Sequence, residues 1–278
     1  RDWSSDVCSS DLFTLFQERT FPMKIGVLIK QVPGAESALP LNDAKTGIQE
    51  GQASFLMNES DSYALEEAQQ LIEKNGDGEV VAISLGPDRV QKIIREALAR
   101  GANRGMHLQT ESNGITDPLT LAKQFAKVLE NESFDLIFSG LQSDDAGMGQ
   151  TGIILGQLLN MSTASLVVGT ELLEGSLKVK RELEAGWSQW LTLTLPASVS
   201  IQSGLNQPRY PSLKGIMGAK KKELKVIPES EFLLSEEKQS VQKIFIPESD
   251  KQTEMIEGEP DAIVSRLMDV LKNEVKVL

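Results

Sequence analysis

Phe134-Asp-Leu-Ile-Phe-Ser139 runs directly into Gly140-Leu-Gln-Ser-Asp-Asp-Ala-Gly-Met-Gly-Gln-Thr-Gly152, and this junction decides the fold. The first stretch is short, apolar and bounded, which reads as a buried strand. The second is a glycine-rich loop that opens a helix over about Thr151–Leu159. A strand, a glycine loop and a helix start in that order form the edge of a parallel α/β sheet where ligands gather. Glycines let backbone approach a phosphate closely, and a helix N-terminus supplies free N–H groups and a positive dipole end. Gln150 and Thr151 are placed to donate hydrogen bonds there. Asp144 and Asp145 either accept from ribose hydroxyls or fix the loop.

Working outward, the same alternation recurs upstream. Ile25–Ile29 is a short buried strand, and residues 31–57 read as irregular. A helix follows from about Asp61 to Lys74, with Asn58, Ser60 and Asp61 as candidate N-caps. Glu79–Leu85 is a second strand. Gly86-Pro-Asp88 turns into a helix whose Val90, Ile93, Ile94, Ala97 and Leu98 make one apolar stripe ending at Gly101. Arg104–Leu108 is a short strand, and Asp117-Pro118 opens a helix to Leu129 as N-cap and N1. Strands separated by helices predict an α/β fold, a mostly parallel, Rossmann-like sheet with helices on both faces.

Downstream of Ser165 the pattern changes. Leu166–Val168, Leu177–Arg181, Trp190–Leu195 and Ala197–Ile201 are strands without intervening helices, predicting an added antiparallel segment on the sheet edge. After Val226 the chain turns polar, with one amphipathic helix near Asp261–Asn273 as an extended C-terminal arm that must pack on the domain or a partner. Residues 1–22 fit none of this. Arg1–Leu12 is Ser-rich, lacks periodicity and has no apolar h-region, so it reads as a non-native, disordered extension, with Met23 as the start. The expected division is 1–22 extension, 23–226 nucleotide-binding domain and 227–278 arm.

Composition narrows the function. The net charge of −12 argues against a nucleic-acid binder. One cysteine, Cys8, and one histidine, His107, exclude an intramolecular disulfide, a cysteine-based metal site and a multi-histidine one. His107 reads as structural. No apolar run approaches the ~20 residues that span a bilayer, so a soluble, cytoplasmic bacterial protein without membrane insertion is expected. Residues 147–152 spell G-x-G-x-x-G through Gly147, Gly149 and Gly152, so an NAD-binding oxidoreductase is one alternative. Seven residues separate Ser139 from Gly147, after the fourth strand, whereas that fingerprint comes directly off the first. A nucleotide-responsive regulator of the universal-stress type is another. The segment Asn206-Gln-Pro-Arg-Tyr-Pro-Ser-Leu-Lys-Gly-Ile-Met-Gly-Ala-Lys-Lys-Lys222 joins rigid prolines, apolar residues and lysines. It reads either as a docking site for an acidic partner or as a solvated charge run.

Taken together these pieces resemble the electron-transfer flavoprotein beta-subunit family. The resemblance rests on Lys24-Ile-Gly-Val-Leu-Ile-Lys-Gln-Val-Pro33, on Met57-Asn58 before Ala64-Leu-Glu-Glu-Ala68, on Gly140–Gly152, and on Leu205–Tyr210 leading to Ile216-Met217 and the lysines. Val179-Lys-Arg-Glu-Leu-Glu184, Gln189-Trp-Leu191 and Pro196 follow the family's short signature. Ala185 and Ser198 depart from it where an acidic or glycine residue and an aliphatic one are expected.

The resemblance implies an electron carrier with no catalytic residues of its own, working as a heterodimer with an alpha subunit that holds most of the FAD. It implies structural AMP in this chain, against Leu28, Lys30, Asn58, Glu59, Ser60, Asp61, Leu85, Gly140, Gln142, Ser143, Asp144, Asp145, Gly147, Gly149, Gln150 and Thr151. It implies docking of acyl-CoA or related dehydrogenases through Leu213, Ile216, Met217 and Lys221, and delivery of electrons to a quinone reductase. One branch of the family binds a second FAD in the beta site and bifurcates electrons; Gln150-Thr-Gly152 is more similar to the AMP branch.

Overall fold

The computed structural model describes residues 22–111, 117–232, 238–247 and 253–277. Apart from Pro22, the expected disordered extension lies outside the described residues. The chain forms two compact units, Arg1–Lys243 and Ile244–Leu278.

The first unit begins with β1 (Met23–Leu28), then a hairpin-like pair β2 (Gln31–Pro33) and β3 (Phe55–Met57), and α1 (Glu59–Asn75). It continues through β4 (Gly78–Gly86), α2 (Gln91–Arg100), β5 (Arg104–Gln109), α3 (Pro118–Leu129), β6 (Leu136–Gly140) and α4 (Thr151–Leu158). Then come β7 (Ser162–Leu173), β8 (Ser176–Glu182), β9 (Ser188–Thr194), β10 (Ala197–Ile201), α5 (Leu213–Ala219) and β11 (Leu224–Pro228). Nine of these strands make one sheet in the order β11-β5-β4-β1-β6-β10-β7-β8-β9.

The α/β reading holds. β1, β4, β5, β6, β7, β10 and β11 pair in parallel, and β8 alone is reversed, so that the β7–β8 and β8–β9 pairings at one edge are antiparallel. Alternate side chains of each strand enter different layers. Val80 and Ala82 pack with Leu65, Leu71, Ile93 and Leu98 of α1 and α2, whereas Val81 and Ile83 pack with Ala122, Phe125 and Leu155 of α3 and α4. Each fully buried Leu or Ile contributes about 1.5–3 kcal/mol, so both helical layers are held by the strand periodicity. Asp117 caps α3 as expected, accepting from the amide of Thr120.

The structure differs from the sequence reading at α5, a helix in a segment read only as a docking site or a charge run, and in three further places. Residues 31–57 hold the paired β2 and β3, too short to show a period. β10 does not belong to the antiparallel edge: it inserts between β6 and β7, parallel to both. Its residues are buried throughout, the signature of a central strand covered on two faces. The expected boundary at 226 falls inside β11, whose Ile227, with the nearby Phe232, is buried in the α3/α4 layer. In the second unit, α6 (Pro260–Asp269) runs on into a wider turn at Val270–Glu274, and no residue of this helix is buried.

Candidate functional site

In sequence order, β1, β4 and β5 build the sheet outward in one direction from its centre, and β6 and β10 in the other. The reversal lies between β1 and β6, and open α/β sheets bind ligands outside the carboxyl ends of such a pair. The carboxyl ends of β1 and β6 are Leu28 and Gly140, and the loop 141–150 follows.

Asp61, in the first turn of α1, joins the two strand ends. Its carboxylate accepts from the amide of Lys30 at 2.7 Å and from that of Gly140 at 2.9 Å. Burial pushes its pKa from 3.8 up to about 7, against the opposing pull of those two amides, Asn58 and the Lys30 ammonium. Asn58 holds the N-cap position of α1, but its side chain does not cap. It turns to the loop instead: Nδ2 donates to the Gln142 carbonyl at 3.0 Å and Oδ1 accepts from the Asp144 amide at 2.9 Å. The Ser60 hydroxyl donates to the same Gln142 carbonyl at 2.8 Å, and the amide of Glu59 points at Asp144. The Lys30 ammonium donates to Asp145 at 2.6 Å and to Ser143 at 3.3 Å. Burial is the largest single influence on the Asp145 carboxyl and would raise it, but the Lys30 ammonium, the Ser143 hydroxyl and the Ala146 amide together hold the group below the usual carboxylate range.

Lys30, Asn58, Glu59, Ser60, Asp61, Gly140, Gln142, Ser143, Asp144 and Asp145 therefore form one bonded cluster. Leu28 and Leu85 lie beside it at strand ends, in the α3/α4 layer. Beyond Asp145 the loop turns through Gly147 and Gly149, both left-handed at φ +63° and +64°, a region that other residues enter at a cost. It ends at Gln150, whose side chain makes no cap bond, so the amides of Thr151, Gly152 and Ile153 have no carbonyl one turn back.

The floor beneath this helix end was not legible beforehand. Ser139 on β6 and Ser200 on β10 are register partners, and both hydroxyls are buried without a protein partner. Ser139 Oγ lies against Gly152, where an added Cβ would fall 2.2 Å away. Ser198, at a position expected to be aliphatic, donates its hydroxyl to the Gly152 carbonyl at 2.9 Å. The alternation of Ser198 and Ser200 on a strand is the only sequence signal for this floor.

The docking candidates are elsewhere. Leu213, Ile216 and Met217 lie on α5, which packs on α2, and Leu213 and Met217 are 82% and 75% exposed. Lys221 is exposed, but Lys222 is not a solvated member of the basic run. Its ammonium donates to the carbonyls of Leu98, Gly101 and Ala102 at 2.9, 3.3 and 2.6 Å and so closes the C-terminal end of α2. His107 is fully buried, with Nε2 2.8 Å from the Gly86 carbonyl. Among the described residues no cluster of metal-ligating side chains occurs, and no helix is long and apolar enough to cross a membrane.

Residues 46–232 match the family model described as the electron transfer flavoprotein domain. The chain belongs to the electron transfer flavoprotein beta-subunit family. It is 32% identical over 264 residues to the electron transfer flavoprotein subunit beta of Methylophilus methylotrophus, covering 91% of this chain and 99% of that one. It is 32% identical over 261 residues to the subunit beta of Bacillus subtilis, covering 92% and 100%. The human subunit beta is 36% identical over 208 residues, covering 74% of this chain and 81% of its own. The family match covers the Asn58–Asp61 turn, the Gly140–Gly152 loop and α5 together.

Proposed function

We propose that this beta-subunit family member pairs with an alpha subunit to form a heterodimeric electron carrier. In this reading the alpha subunit holds the redox FAD, and this chain holds AMP at the β1/β6 switch point. Electrons enter from acyl-CoA or related dehydrogenases and leave to a quinone reductase, in the bacterial cytoplasm. The chain itself contributes binding and orientation, with no catalytic residue.

The observation that carries the nucleotide reading is the pairing of unsatisfied donors at one helix end. The buried Ser139 and Ser200 hydroxyls lack protein partners, directly below the first turn of α4. The left-handed Gly147 and Gly149 leave backbone open beside them. A phosphate would use those hydroxyls and the amides of Thr151–Ile153. The Asn58–Asp61 turn, Lys30 and Asp145 would hold the nucleoside side of the crevice. Asp144 and Asp145 already have Asn58 and Lys30 as partners, so fixing the loop is a role supported for both. The NAD alternative needs the glycine turn directly after the first strand, whereas β1 leads into β2 and the glycine loop follows β6.

Flavin bound when the FAD is present supplies the one-electron chemistry; this chain's residues orient and enclose. Expression with the alpha subunit should give a yellow complex, and the chain alone should retain little flavin. Mass spectrometry of nucleotide released from the complex should find AMP and FAD in equal amounts. Two equivalents of FAD and no AMP would replace the AMP reading with the bifurcating one.

A further inference from the structure

The segment from Gln202 to Ser212 joins β10 to α5. Because α2 lies over β4 and β5, this strap crosses three to four strand spacings, roughly 14–19 Å at ~4.8 Å each. Its residues could reach about twice as far when extended. Its ends therefore do not fix its path: α5 is seated on α2, where Gly215 lies against the Ala99 carbonyl and Ala219 is buried, and the exposed Leu213 at its start also takes its position from the strap that leads into it.

The pin is Arg209. Its backbone amide and Nε donate to Glu66 Oε2 at 3.1 and 2.8 Å, and its Nη2 to Glu66 Oε1 at 2.9 Å. Nη1 and Nη2 also donate to Glu73 at 2.5 and 3.1 Å. Glu66 is a buried acid on α1, receiving a further bond from Gln70 at 2.9 Å. Nearby, Asn206 donates to the Tyr63 carbonyl at 3.1 Å and to Glu67 at 3.0 Å. Glu66 is buried where the strap lies over it, Glu67 is shared between Asn206 of the strap and Thr170 of β7, and Glu73 remains exposed at the rim. A planar guanidinium bonding two carboxylates at once fixes orientation as well as distance.

We propose that Arg209, clamped by Glu66 and Glu73, is the positioning residue that fixes where Leu213, Ile216 and Met217 are presented to a dehydrogenase. This rests on the reading of α5 as the docking segment. α1 then serves both functions: its first turn organises the nucleotide loop, and its middle turns anchor the docking strap.

The test uses the complete heterodimer carrying Arg209→Ala, Arg209→Lys or Leu213→Ala. Amide hydrogen exchange is read over residues 202–219. Electron transfer is read as flavin reduction by a purified medium-chain acyl-CoA dehydrogenase with octanoyl-CoA. Both Arg209 variants should speed exchange across the strap and α5 about tenfold, with β1, β6 and the first turn of α1 unchanged. Lysine should not rescue, because a point charge cannot bridge two carboxylates in a fixed plane. The KM for the dehydrogenase should rise about tenfold with kcat and flavin content intact. Wild-type exchange over 202–219 in Arg209→Ala would overturn the clamp. Faster exchange with an unchanged KM, while Leu213→Ala raises it, would overturn the positioning role. If Leu213→Ala leaves KM unchanged, the docking reading fails, and the exchange data still decide the clamp.

Discussion

Asp61 and Gly140 touch so closely that Gly140 has no room for a side chain: the carboxylate accepts the glycine amide at 2.9 Å, and a Cβ on Gly140 would fall 2.3 Å from Asp61 Oδ1. The same Cβ would lie 2.2 Å from Ser60 Oγ and 2.8 Å from the Asp61 backbone nitrogen. Backbone cannot step aside as a side-chain tip can, so Gly140→Ala must push the first turn of α1 away from β6. We expect a loss of about 1–3 kcal/mol, read as a lower thermal midpoint, together with loss of bound nucleotide under the AMP reading. A variant with wild-type stability and nucleotide content would show that α1 and β6 are not locked here.

Asp61 also sets a pH dependence. Its pKa is about 7 when folded against an ordinary 3.8, so between those values the folded chain binds more protons than the unfolded one. Stability from this group is therefore fully present below pH 3.8 and is lost as pH rises through 7. Asp61→Asn, which does not titrate, should lack this slope. Urea midpoints measured from pH 5 to 8 should converge as pH rises, the wild type losing its lead; parallel curves would contradict the assignment.

Lys30→Met removes the ammonium bonded to Asp145 and Ser143. The pair is partly exposed, so the stability change should stay below about 1 kcal/mol. The larger effect should be on the loop: the Asp145 carboxyl loses the charge that depresses it, and AMP affinity should fall about tenfold, some 1.4 kcal/mol. Calorimetric titration of the nucleotide-stripped heterodimer checks this, and unchanged affinity would remove Lys30 from the site.

Leu213→Ala should leave the thermal midpoint within about 0.5 kcal/mol of wild type, because the side chain is 82% exposed. Under the docking reading it should weaken electron transfer from the dehydrogenase several-fold. A stability loss as large as that of a core leucine would show instead that this residue packs against the chain itself.

The lysine run should split. Lys222→Met deletes three hydrogen bonds to the end of α2 and should cost about 1–2 kcal/mol. Burial holds this ammonium below its usual pKa, so above that lowered value the unfolded chain binds more protons than the folded one, and the cost of burying the charge is relieved as pH rises toward the ordinary lysine range. Lys221→Met should cost less than about 0.5 kcal/mol. Equal effects from both would contradict the cap.

The helices were legible wherever a cap and a stripe coincided. Asp117-Pro118 marks the start of α3, and the spacing of Val90, Ile93, Ala97 and Leu98 marks α2. β2 and β3 were not, since three residues carry no period. Of the site, the loop from Gly140 to Thr151 and the Asn58–Asp61 turn stood out through glycines and small polar residues. Asn58 looked like a cap because asparagine favours that position; that its amide would bond Gln142 and Asp144 depended on a loop more than eighty residues away.

The sequence by itself determined the local choices: the longer strands and the capped, striped helices, the parallel character of the sheet, and the glycine loop after the fourth long strand. These follow from side-chain periodicity and backbone preference, which act within a few residues. The tertiary structure alone decided the insertion of β10 between β6 and β7, the serine floor under α4, and the capture of Arg209 and Lys222 by distant helices. Those depend on which buried acceptors lie within about 3 Å of a donor, a condition that no spacing along the chain encodes.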